Sequence, residues 1–145
     1  MTPDVIAELT HDATAALFAI HNDLFRAGRL KTLWRSVSKK HGEAIYRNLN
    51  LSSRTKARLS ELTLQVILHE EAFLAAGATP STYEAIRLHV SAMNRVAAAL
   101  FTLLEALYKA TPGTDIESLR CQYEVERTKA YEASIHARAA LRLDA

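Results

Sequence analysis

The densest chemistry in the chain is positive charge. Between residues 26 and 58 stand ten lysines and arginines against one acid, Glu43, so this segment carries +9 of a chain whose net charge is only +2. Residues 1–25 carry −4 and residues 59–145 carry −3, which restores the total. Lys31, Arg35 and Lys39 are spaced i, i+4, i+8 and share one helical face. Lys40 and Arg47 flank that face, and Arg54, Lys56 and Arg58 follow. Several cations on one surface can neutralise successive phosphates and release their counterions. Trp34 and Tyr46 add rings on which bases can stack. The pattern points to an anionic partner, DNA or RNA. The opposing reading is a solvated helix face whose charge is met by the acids of the rest of the chain.

Histidines and carboxylates offer other chemistry. His69, Glu70 and Glu71 interrupt a strongly apolar run, and metal ligation is one use for such a cluster. Glu8 and His11 have the Glu-x-x-His spacing that places two ligands on one helix face in di-iron bundles. Glu132 and His136 lie one turn apart. A ferritin-like site needs two Glu-x-x-His pairs and the sequence has one, so no metal and no cofactor is expected. His11, Phe18, His21 and Phe25 form a stripe of their own near the N-terminus. It suits the wall of a small-ligand pocket or a seam against another helix. Arg35 and His41 resemble the loose Arg-x4–6-His pattern of the HEPN ribonucleases, in which Arg holds the scissile phosphate and His moves a proton. The Asn usual after that Arg is replaced by Ser36.

No phosphate-binding loop, nucleophile elbow or paired cysteines are present, and Cys121 is the lone cysteine. That usage fits a reducing, cytoplasmic setting. The start has no basic region ahead of an apolar run, so no signal peptide is expected. The apolar stretch Val96–Tyr108 contains Glu105 and is too short to span a bilayer, so no membrane is expected.

These residues must be positioned by helices. Ala and Leu dominate, whereas Gly (4) and Pro (3) are scarce. Thr2 and Pro3 are a helix-start signal, and Ile6, Leu9, Ala13, Leu17, Ile20 and Leu24 recur at helical spacing up to the stop at Gly28. A second helix is expected from Leu30, with a kink or break near Gly42. A third starts at Ser52 or Ser53 and closes at Gly77. Ser81 and Glu84 read as a capping box for a fourth, whose stripe runs from Tyr83 to Leu107. Thr114 or Asp115 starts a fifth, with Glu117 completing a second box. The fifth helix runs to about Leu143, with a thinner face (Ile116, Leu119, Tyr123, Ala130, Ala137, Leu141) interrupted by Glu126.

Such elements define an all-α, antiparallel four- to five-helix bundle, a single domain over residues 1–145. The leading functional expectation is a non-enzymatic, homo-oligomeric binding or regulatory protein that contacts nucleic acid or another polyanion through residues 26–58. Alternatives are a metal-binding or RNase-like bundle and a protein-interaction module using the thin face of the last helix.

Overall fold

The structure is a computed structural model that describes the backbone of residues 3–25, 39–109 and 113–144. Its elements are all helical: α1 (Pro3–Phe25), α2 (Lys39–Leu68), the short α3 (Glu70–Ala75), α4 (Pro80–Lys109) and α5 (Ile116–Asp144). The four long helices alternate in direction. Asp23 near the end of α1 meets Asn48 near the start of α2. Ser60 of α2 meets Asn94 of α4, and the Tyr83 hydroxyl donates to the Val66 carbonyl at 3.0 Å. Thr82 at the start of α4 lies beside Ala140 near the end of α5. The fold is the expected antiparallel all-α bundle.

Helical spacing of apolar residues places the core. Ile6, Ala13, Leu17 and Ile20 of α1 are buried, as are Leu59, Leu62 and Val66 of α2. From α4, Val90, Val96, Ala97, Leu100, Leu103 and Leu104 are almost wholly enclosed. Tyr123, Ala130 and Ala137 complete the core from α5. The middle of the thin face expected of α5 is therefore buried, with alanines at Ala130 and Ala137. By length and composition α4 as a whole is apolar enough to cross a bilayer, unlike the shorter run Val96–Tyr108. In the bundle α4 packs against each of the other helices.

The punctuation differs from expectation at several points. The second helix does not break near Gly42, and no boundary falls at Ser52 or Ser53: α2 runs unbroken from Lys39 to Leu68. Its hydroxyls explain this. Ser52, Thr55 and Thr63 turn back onto carbonyls one turn earlier, at 2.7–2.8 Å, and so sit inside a helix without unsatisfied donors. The break comes instead at His69, whose backbone leaves helical geometry (φ −110°, ψ 22°) while its Nδ1 lies 2.8 Å from the Gln65 carbonyl. Gly77 does close the segment, at φ +101°, a region glycine enters without steric penalty.

The start of α4 is capped by Thr79 and not by Ser81. The Thr79 hydroxyl accepts from the Thr82 amide at 3.1 Å, and Pro80 takes the first helical position. Glu84 is spent on Arg87 instead of a capping box. At α5 the cap is Asp115, whose Oδ1 accepts from the Ser118 amide at 3.0 Å, while Glu117 pairs with Arg120. The starts at Thr2 and Leu30 and the stop at Gly28 lie outside the described residues.

Candidate ligand-binding groove

In an up-and-down bundle of four helices, the first and last should pack side by side and close the ring. Here α1 packs on α2 and α4, and its contact with α5 is sparse. The gap is a groove of about 680 Å³, walled by α1 and α5 and floored by α4. That volume is typical of a small-molecule site.

Of the α1 residues that line the groove, His11, Thr14, Phe18 and His21 fall on one stripe, spaced i, i+3, i+7, i+10. This is most of the second stripe read in the sequence; the Phe25 side chain lies outside the described residues. Opposite them α5 contributes Tyr123, Arg127, Tyr131, Ser134 and Arg138, and α4 contributes His89, Met93 and Val96. Phe18 and Tyr131 stand at the mouth, 61% and 68% exposed, which is unusual for aromatic side chains in a bundle of this size.

One end of the groove is a completed polar network. His21 Nδ1 lies 2.9 Å from the Tyr123 hydroxyl, and His21 Nε2 lies 3.2 Å from Arg127 Nη1. Arginine can only donate, so Nε2 accepts and the ring proton sits on Nδ1, which donates to Tyr123. Arg127 also donates to Glu124 at 3.1 Å. Burial, and then the Arg127 charge, hold His21 below the ordinary imidazole range, against a smaller opposing pull from Glu124. Burial pushes the Tyr123 phenol up. Both side chains line the groove, with the imidazole nitrogens and the phenol hydroxyl engaged by protein partners.

The middle is apolar despite its hydroxyl residues. Thr14, Thr128 and Ser134 donate to carbonyls of their own helices at 2.7–3.1 Å, leaving methyl and methylene groups toward the space. Leu17, Met93, Val96, Ala130 and Ala137 make up the rest.

The opposite end is not completed. His89 and Arg138 line it, and burial followed by the Arg138 charge lowers the His89 pKa. Neither side chain has a hydrogen-bond or carboxylate partner among the described residues.

The residues singled out for phosphate binding lie elsewhere. Lys31, Arg35 and Trp34 fall outside the described residues, as do the side chains of Lys39, Lys40 and His41. Arg47, Arg54 and Arg58 are exposed on α2, spaced i, i+7, i+11 along one line. Arg47 lies 3.8 Å from Asp23. Arg54 and Arg58 have no acidic partner among the described residues. Lys56 leaves the line, its ammonium 5.0 Å above the Phe101 ring. Tyr46 packs against Tyr108 with ring centroids 5.5 Å apart.

The metal candidates do not converge. Glu70 and Glu71 are exposed, His69 is occupied at Gln65, and Glu8, Glu132 and His136 point to solvent. Among the described residues, no three His, Cys, Asp or Glu side chains gather as a metal site.

Sequence reading missed Tyr123, His89, Arg127 and Arg138 as groove residues. Tyr123 was legible only as core. Its hydroxyl, buried on an alanine-rich face, was the available signal, since a buried phenol needs a partner. No family model, curated protein or solved structure matches the chain.

Proposed function

We propose that the protein is a binding protein for an apolar small molecule, held in the groove between α1 and α5. The supporting observation is the groove itself: about 680 Å³ of space, apolar along its middle, where a closed bundle would have packed side chains. Soluble bundles fill such space unless something else occupies it. The His21–Tyr123 pair supports binding over catalysis, because both imidazole nitrogens are already engaged by protein groups, Nδ1 with Tyr123 and Nε2 with Arg127.

The test is titration with the fluorescent probe 1-anilinonaphthalene-8-sulfonate. Wild-type protein should enhance its emission saturably at one site. Ser134→Trp places an indole in the groove from a half-buried position and should abolish the enhancement. Equal enhancement by both proteins places the probe elsewhere and overturns the reading.

A second reading keeps the positive segment. The exposed line of Arg47, Arg54 and Arg58 on one continuous helix supports contact with DNA or RNA phosphates, with Lys31, Arg35, Lys39 and Lys40 as further contacts. Anisotropy of labelled duplex DNA and single-stranded RNA, at two salt concentrations, tests it. Absence of binding at low salt removes it.

A further inference from the structure

The groove is electrically lopsided, and the imbalance names a ligand. Its lining carries one carboxylate, Glu124, and two guanidinium groups, Arg127 and Arg138. Glu124 is engaged by Arg127, which also serves His21. Arg138 is left at the opposite end without a carboxylate partner among the described residues. Beside it His89 offers an imidazole with no hydrogen-bond partner among them. A cationic donor next to an open imidazole is a complete set for one carboxylate, which can accept from the guanidinium and from an imidazole N–H together.

From Arg138, eleven residues of α5 lead to Arg127, about 16 Å at helical rise. Between them the wall is Tyr131, Ala130 and Ala137, with Leu17 and Phe18 facing them from α1. The far end, at His21 and Tyr123, is neutral and already satisfied. It asks nothing of a ligand's tail.

Resting on the reading of the groove as a small-molecule site, we infer that its ligand is an elongated apolar monocarboxylate. The carboxylate sits between Arg138 and His89, and an acyl chain of about a dozen carbons lies along the apolar middle. A dianion or polyanion finds no second unpaired guanidinium or ammonium among the described groove residues. An ammonium-headed amphiphile meets Arg138 at the wrong sign.

The experiment is calorimetric titration of the full chain with dodecanoate, dodecan-1-ol and dodecylammonium, each below its aggregation concentration, and with hexanoate as the short control. Dodecanoate should bind one to one, at least tenfold tighter than the alcohol or the ammonium and well ahead of hexanoate. Arg138→Gln should weaken dodecanoate at least tenfold and leave dodecan-1-ol within twofold. His89→Phe should weaken dodecanoate by a smaller factor. Ser134→Trp should remove binding of acid and alcohol alike. Acid and alcohol binding equally, and both indifferent to Arg138→Gln, would overturn the carboxylate assignment while leaving an apolar groove standing. No binding of either, or binding untouched by Ser134→Trp, would overturn the groove reading itself.

Discussion

His21 and Tyr123, 102 residues apart in sequence, meet at 2.9 Å with their rings tilted by 37°. This bond joins α1 to α5 at one end of the groove and is a principal tie between the two helices. Tyr123 is 1% exposed, so its hydroxyl depends on protein partners. Tyr123→Phe keeps the ring and removes the acceptor of the His21 proton. The variant should lose about 1 kcal/mol in urea unfolding, the usual worth of one such bond. Wild-type stability in Tyr123→Phe would mean that the bond does not hold α1.

The two groove imidazoles make stability depend on pH in a fixed sense. His21 and His89 both have pKa values below the ordinary 6.5, chiefly through burial, with Arg127 and Arg138 respectively adding to it. Below that pH the unfolded chain takes up protons that the folded chain refuses. Stability from these groups is therefore intact above about 6.5 and falls as pH drops toward their folded values. Unfolding midpoints measured from pH 7.5 to 5 should decline, and the double variant His21→Gln, His89→Gln should decline less steeply. Parallel profiles would assign the slope to other groups.

Helix caps give a clean contrast. Thr79→Ala removes the acceptor of the Thr82 amide and should cost about 1 kcal/mol, while Ser81→Ala should cost little. Thermal unfolding of the two single variants decides it. A larger loss in Ser81→Ala would restore the capping-box reading.

Glu126 is the polar interruption on the packed face of α5. Its Oε1 accepts from Gln122 at 3.0 Å, and its buried Oε2 has no hydrogen bond, although Arg95 Nε lies 3.4 Å away. Removing the cation should hurt more than removing the pair. Arg95→Ala should cost about 1 kcal/mol, a modest figure because Arg95 is half exposed, and Arg95→Ala with Glu126→Leu should recover most of it. A double-mutant cycle by chemical denaturation measures the difference.

If the arginine line on α2 meets phosphates, Arg54→Gln with Arg58→Gln should weaken nucleic-acid binding uniformly across sequences. It should also lower the slope of log affinity against log salt by about 2, one for each contact removed. An unchanged slope would remove both residues from the interface.

Periodicity made the bundle legible. The stripes of α1 and α4 in the sequence are the buried faces of the structure, since a helix that must hide one side repeats its apolar residues at 3.6. The boundaries were less legible for a specific reason. Serine and threonine signal a cap when their hydroxyls reach forward to amides, and a helix interior when they reach back to carbonyls. Ser52 and Thr79 take opposite choices, and the local sequence does not distinguish them. The groove was half legible. The stripe of His11, Phe18 and His21 announced a second face on α1. Its counterpart on α5 was hidden because Tyr123, Arg127 and Arg138 acquire meaning only from what stands across 680 Å³ of space.

α4 touches every other helix, whereas among the described residues α1 lacks a full neighbour on its α5 side. Cooperativity should follow that asymmetry. Amides of α4 should exchange with solvent only when the whole chain unfolds, and those of α1 through smaller openings. The groove side of the molecule is then also the side that yields first. α1 becomes a door latched at His21, and a ligand spanning both walls would act as its bolt, slowing exchange along α1 while leaving α4 as it was.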